Sequence, residues 1–296
     1  MPTGYLGRTN RSFPSIWLSL SQPNSAEDLQ TLAHKALDSG LPIDISSGPA
    51  IWGGQMRGTD APLMVASNSD YERANNESHA CDLVQAHLIE VLSSLGRDSI
   101  DFYFVRVRRM VEEFQISGVL QALEIAKNEG HVGYIGLMCD GPSLATLGFW
   151  QFHDAFEVIS MPRNHYSDEA YRTLSPLAKE RRVGVITTKP LNWGYGLPFI
   201  AIPDLWRLRN LTQSFYGMSL AQAALADLSQ DHPVVVSVNS SKQIDQAIQA
   251  QSVTLPDGLD AMLEPFRSAF DDEELWKSWL TSDDVLLRNA AQRRFA

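Results

Sequence analysis

The sequence predicts a parallel α/β protein, and the number of its strands predicts a closed (β/α)8, or TIM, barrel. Short segments rich in apolar, β-branched and aromatic residues recur along the chain, and a segment with helical spacing of apolar residues follows most of them. Strands that are apolar on both faces are typical of sheets covered by helices. Eight such units close a barrel. No linker or low-complexity tract divides the 296 residues, so we expect a single domain over 1–296.

The elements follow from local composition. The clearest strand is 100–106, an aromatic and β-branched run after the turn at Gly96. Strands are predicted at 16–20, 41–45, 63–67, 100–106, 133–138, 156–161, 184–188 and 234–238. Helices are predicted at 25–39, 83–95, 118–128, 143–150, 168–180, 220–229 and 242–250. A hairpin is expected at the amino terminus, a loop after the second strand, and a helical tail over about 270–296 packed on one end of the barrel.

Composition excludes several classes of function. A formal net charge of −11 argues against nucleic acid or an anionic membrane as the main partner, because both need a basic surface. No apolar run approaches the roughly 18 residues of a spanning helix. Two cysteines form no disulfide framework, which favours a cytoplasmic location, and the scattered histidines indicate no metal site. A small-molecule ligand is the expected partner, and a homo-oligomer stays open.

Seven segments then occur together in the order and spacing of one family. The sequence resembles the aldo/keto reductase superfamily from residue 5 to about 250. The segments are 5–9, 36–40, 95–105, 122–124, 130–137, 184–186 and 190–191. The resemblance implies a (β/α)8 barrel that reduces carbonyls with NADP(H), using an Asp, a Tyr, a Lys and a His at strand ends.

Only one of those four catalytic positions keeps its residue. Asp44 matches the aspartate, whereas Trp52 stands for the tyrosine, Asn68 for the lysine and Arg106 for the histidine. An indole N–H can donate a hydrogen bond but cannot deliver a proton near neutral pH. We therefore do not expect conventional carbonyl reduction. With only about ten residues between Trp52 and the next strand, the helix of the second unit is expected to be largely missing.

The cofactor positions implied by the resemblance are also changed. The replaced ones carry Met138-Cys139, Ser160, Thr188, Val236-Ser237 and Ala247. Gln243 is the one retained position. We therefore expect no cofactor and at most weak NADPH binding, although NADP(H) stays possible if the family function is retained.

Candidate catalytic residues lie where strands end, as in other parallel α/β enzymes. Arg106 is expected to anchor a carboxylate or phosphate, since a guanidinium is always protonated and cannot act as an ordinary base. Asp44 is either a catalytic carboxylate or a structural partner, and we expect it to approach Arg106 across the barrel mouth. His165 is a candidate replacement acid or base, with a surface-loop histidine as the plainer interpretation.

Candidate substrate-binding residues are Trp52, Asn68, Cys139, Lys189 and Trp193. Trp52 is expected to form an apolar wall, and Trp193 either a lid over the mouth or part of a turn. A buried, inert thiol is the favoured interpretation of Cys139, ahead of a nucleophile. Lys189 either points into the pocket or is a solvated charge at the rim.

Three functions remain open from the sequence. The first is a repurposed enzyme that performs non-redox chemistry on a small polar or anionic metabolite. The second is a catalytically inactive relative that binds a ligand or a partner, and the third is a divergent NADP(H)-dependent oxidoreductase. Fold does not decide among them.

Overall fold

The computed structural model describes residues 5–21, 26–165, 168–191, 217–255, 272–283, 285, 287–288 and 291–292. Its eight strands are parallel and close into one barrel in chain order, which confirms the predicted fold class. The strands are β1 Ile16–Leu20, β2 Ile43–Asp44, β3 Leu63–Ala66, β4 Ile100–Val107, β5 Val132–Cys139, β6 Val158–Pro162, β7 Gly184–Thr188 and β8 Val234–Val238.

Helices cover the outside of the barrel, so the strands are buried on both faces. The described helices are α1 Ala26–Asp38, α2 Pro49–Met56, α3 Glu77–Leu95, α4 Glu113–Asn128, α5 Ser143–Trp150, α6 Glu169–Glu180, α7 Leu220–Leu228, α8 Ser241–Ala250 and α9 Glu273–Leu280. α3 shows how the sequence sets such bounds. The Asn76 side chain accepts a hydrogen bond from the His79 N–H at its start, and Gly96 in the left-handed conformation ends it.

The expectation that the second unit lacks its helix is wrong. α2 is short but complete, and it occupies the stretch predicted as a loop. Pro49 lies in its first turn, where a missing N–H costs no hydrogen bond. Gly53 faces α3 so closely that an added Cβ would lie 2.4 Å from the Ser94 carbonyl oxygen. Eight residues were enough for a helix because glycine allows this close packing.

Two apolar layers hold the barrel together. The outer layer lies between strands and helices, and the inner layer fills the lumen. Phe102 is at the centre of the inner layer, with its ring centroid 5.0 Å from Trp17 and 5.2 Å from Phe13. An amino-terminal hairpin, with a bridge between Tyr5 and Ser12, lies below this layer as predicted. The amino-terminal half of the lumen is therefore a packed core.

The described part of the tail is helical at α9. Trp276 and Trp279 are buried there and form an apolar cluster with Ala291. Across the described residues, every helix is too short or too polar to cross a membrane.

Candidate active site

β4 brings Arg106 to the carboxyl-terminal mouth of the barrel. Side chains alternate along a strand, so Phe102, Phe104 and Arg106 share the face toward the lumen. Neighbouring residues hold the Arg106 backbone: its N–H donates to Ser67 Oγ (3.1 Å), and its carbonyl accepts from the Tyr71 hydroxyl (2.9 Å). Burial raises the pKa of Tyr71, so its hydroxyl stays a donor. The position of Arg106 is thus fixed by contacts with the loop after β3.

Arg106 forms an ion-paired group with two residues from other strand ends. Its Nη1 lies 3.4 Å from Asp140 Oδ2, and Lys189 Nζ lies 3.1 Å from Asp140 Oδ1. The side chains of Arg106 and Asp140 are each 25% exposed. We call Arg106, Asp140 and Lys189 the mouth cluster. Within the part of the chain that the structure describes, Arg106 Nε is buried and has no hydrogen-bond partner.

Local backbone geometry places Asp140 and Lys189, the other two members of the mouth cluster. Asp140 directly follows β5, and its N–H donates to the Val107 carbonyl (3.0 Å). Gly141 packs so closely on β4 that an added Cβ would lie 2.1 Å from the Arg108 carbonyl oxygen. Lys189 directly follows β7 with a left-handed φ of 55°, which turns the chain away from the strand direction. Lys189 is 57% exposed, so it lies at the rim of the mouth.

Several charged side chains are grouped at the mouth. Arg108 is exposed, its Nη2 donates to the Asn68 carbonyl (3.2 Å), and among the described residues it has no ion-pair partner. Arg106 and Lys189 share the carboxylate of Asp140, and the Arg108 N–H donates to Glu72 Oε1 (3.2 Å). The Asn68 side chain bonds to Asp70 at the exposed rim, where Nδ2 donates to Oδ2 at 2.6 Å. The opening of the barrel therefore carries both basic and acidic side chains.

The expected pairing of Asp44 with Arg106 is wrong. Asp44 Oδ1 accepts hydrogen bonds from the N–H of Ser46 (2.9 Å) and from its hydroxyl, and no ion pair joins Asp44 to Arg106. The strand register explains the difference, because it aligns Asp44 with Met64 and Met64 with Phe102. Arg106 lies four residues further along β4 than Phe102, so the register does not align it with Asp44. Asp44 stabilises the turn after β2.

His165 is buried at the carboxyl end of β6, which corrects the surface-loop interpretation. Its Nε2 lies 2.7 Å from Asp227 Oδ2 on α7. The neighbouring Asn164 Nδ2 donates to the Lys189 carbonyl (3.4 Å), so this loop adjoins the mouth cluster. The ring itself is engaged by α7, and the structure gives it a role in holding that helix.

Trp52 and Cys139 lie in the outer apolar layer, so neither lines the mouth. Trp52 is on α2 with none of its surface exposed, and its position on a helix rather than a loop explains the wrong expectation. Cys139 is 2% exposed, and burial raises the pKa of its thiol, which agrees with the inert interpretation. Met138, one residue earlier, points into the lumen instead.

The remaining candidates from the sequence are Gln243 and Trp193. Gln243 Oε1 accepts from the Asn239 N–H (2.8 Å), which closes the loop between β8 and α8. Trp193 lies outside the described residues. Among those residues, no group of three or more His, Cys, Asp and Glu side chains is arranged to hold a metal ion. Of the candidate residues, the structure thus brings together Arg106 and Lys189, which both pair with Asp140. Asn68 lies nearby, because its carbonyl accepts a hydrogen bond from Arg108.

Asp140 is the member of the mouth cluster that the sequence did not single out. The available signal was its position, since it is an acid directly after a buried strand and directly before a glycine. The same kind of position, at the carboxyl end of a strand, identified Arg106 as a candidate.

Solved structures of other proteins share the fold of this barrel. No protein-family model and no curated protein sequence matches the chain. An aldo-keto reductase from Klebsiella pneumoniae in complex with NADPH matches with a TM-score of 0.73 and 16% identity, covering 90% of this chain and 96% of that one. An aldo-keto reductase from a Medee basin deep-sea metagenome library gives 0.69 and 15%, covering 90% and 98%. Aldose reductase from Giardia lamblia gives 0.64 and 16%, covering 86% and 94%. The chain has the fold of the aldo-keto reductases.

Proposed function

We propose that the barrel mouth binds a small anionic metabolite and catalyses a non-redox proton transfer on it. The observation that carries this proposal is the mouth cluster, in which Asp140 lies between Arg106 and Lys189; Arg108 nearby has no ion-pair partner among the described residues. A guanidinium offers several donors in a fixed plane, which suits a carboxylate. The buried, unpartnered Arg106 Nε is a donor that such a ligand would satisfy.

The cluster suits removal of a proton next to the carbonyl group of a substrate whose carboxylate is anchored. Arg106 holds the carboxylate, and Asp140 Oδ accepts the proton when the neighbouring C–H bond breaks. The electron pair of that bond moves onto an oxygen of the substrate, and Lys189 Nζ stabilises the charge there. Reprotonation at carbon completes an isomerisation or an exchange with solvent, and no electrons leave the substrate.

An NADP(H)-dependent reductase is the second candidate, because a reductase of the same fold carries NADPH in its solved complex. The residues described here fit that cofactor poorly. Cys139 is enclosed in the outer layer, Gln243 is bonded to the Asn239 N–H, and the Ser160 hydroxyl is buried inside the barrel without a partner. Cys139 and Gln243 therefore present no free polar group to the mouth. We therefore derive no step through NADP(H).

The test combines binding with exchange. Thermal shift with oxalate, malonate, pyruvate and inorganic phosphate measures anion binding, and NMR in D2O follows exchange of the pyruvate methyl protons. Saturable binding with exchange above that of an Asp140→Asn variant supports the proposal. Binding without exchange for any of the carbon acids identifies an inactive binding protein. NADPH binding at low micromolar concentration with turnover of aldehydes identifies the second candidate and overturns the first.

A further inference from the structure

A cavity of about 740 Å³ lies at the amino-terminal ends of the strands, the opposite end of the barrel from the mouth cluster. The hairpin around Tyr5, the start of β7, the carboxyl-terminal half of α6 and residues 229–233 before β8 enclose it. This volume is within the range of roughly 300–1,000 Å³ that small-molecule sites occupy. The site has no part in the function proposed above.

The walls of the cavity are mainly apolar and aromatic. Tyr5, Phe13 and Tyr171 contribute rings, and Tyr5 is 76% exposed, so its ring is free to cover a ligand. On α6, the residues Tyr171, Ser175 and Lys179 are four apart and share the helix face toward the cavity. Tyr171 is held in place by His232, whose Nε2 lies 3.0 Å from its hydroxyl. The aromatic wall is thus partly preformed.

An open strand edge adds polar groups to one wall. In the described chain, β7 and β8 pair only at Thr187 and Val234. The backbone of Val185 therefore has no pairing partner on β8. Val185 lines the cavity, as does Ser15 in front of β1. A ligand can therefore receive hydrogen bonds from backbone as well as from side chains.

One uncompensated charge faces the cavity. Asp231 is in the wall, but Arg163 neutralises it at 3.0 Å. Lys179 is exposed, and no described carboxylate lies within ion-pair distance of it. We propose that this cavity is a second ligand site for a small aromatic carboxylate, with the ring against Tyr5, Phe13 and Tyr171 and the acid on Lys179.

Fluorescence titration with two probes of one ring system tests the proposal. The first is 8-anilino-1-naphthalenesulfonate, an aromatic anion, and the second is N-phenyl-1-naphthylamine, its uncharged counterpart. Lys179→Gln should raise the Kd of the anion about tenfold and leave that of the neutral probe unchanged. Arg172→Gln removes a charge from the same helix outside the cavity and should change neither.

A second variant locates both probes. Ser175→Trp puts a large ring into the cavity from a half-buried position on α6 and should abolish binding of both, while circular dichroism shows a retained fold. Equal binding to the wild-type protein and to the folded Ser175→Trp variant would overturn the proposal. The same conclusion follows if Lys179→Gln and Arg172→Gln weaken the anionic probe equally.

Discussion

The two ends of the barrel lumen are built on different principles, although the same strands form both. Along β4, Phe102 and Phe104 interlock with Trp17 in the lower lumen, and two residues later Arg106 begins a mouth of charges and hydrogen bonds. The lower end is held by packing, whereas the upper end is held by a few polar contacts at partial exposure. The comparison indicates that the lower end carries the stability of the fold and leaves the upper end free to change its chemistry.

Removing an aromatic ring from the lower lumen should have the largest effect. Phe102 is 1% exposed and contacts four other rings, so Phe102→Ala should lower the free energy of unfolding by about 3–5 kcal/mol. Urea denaturation measures it. Phe152→Ala is the matched control, because Phe152 is 80% exposed and should change stability by less than about 0.5 kcal/mol. Similar losses for both variants would contradict a packed lumen.

Overpacking beside the mouth should have an intermediate effect. Gly141→Ala places a Cβ 2.1 Å from the Arg108 carbonyl oxygen and should cost about 1–3 kcal/mol while shifting Asp140. Gly54→Ala is the control, since a Cβ there meets nothing within 4 Å in a helix and should stabilise by about 0.5–1 kcal/mol. Thermal unfolding of the two variants should therefore move in opposite directions. A stabilised Gly141→Ala variant would refute the close approach.

The smallest stability effect should come from a histidine outside the lumen. Burial lowers the pKa of His87, whose Nδ1 lies 2.8 Å from the Tyr103 hydroxyl. The unfolded chain then binds a proton more readily than the folded one, so stability falls as the pH decreases below about 6.5. Chemical denaturation at pH 8 and pH 5.5 should show a smaller loss for His87→Gln than for the wild-type protein. An equal loss in both would exclude His87 as a source of the pH dependence.

The fold could be predicted from sequence because each strand and helix carries its own local pattern. Apolar runs such as the one ending at Arg106 report burial on both faces, and glycine or asparagine marks the helix ends. The sequence did not predict α2, because Gly48, Pro49 and Gly53 suggest a turn when the close contact with α3 is unknown.

The candidate site was harder to predict from the sequence than the fold, because contacts across the mouth depend on strand register and on residues beyond the strand ends. Nothing local in the sequence shows that Asp44 aligns with Met64 and, through it, with Phe102 rather than with Arg106. The pairing of Asp140 with Lys189 joins residues 49 positions apart. His165 was expected at the surface because its partner, Asp227, lies on a helix 62 residues later.

The most direct test of the central claim is the affinity of one anion for two variants that should change its Kd in opposite directions. Isothermal titration uses the tightest acid from the thermal-shift panel with wild-type protein, Arg106→Gln, Asp140→Asn and the distant control Arg172→Gln. If the mouth cluster is the anion site, Arg106→Gln raises the Kd at least tenfold, because it removes the anchoring donors. Asp140→Asn lowers the Kd several-fold, because it frees both cations from their competing carboxylate, and Arg172→Gln leaves it unchanged. Equal Kd values for all four proteins would contradict an anion site built on Arg106.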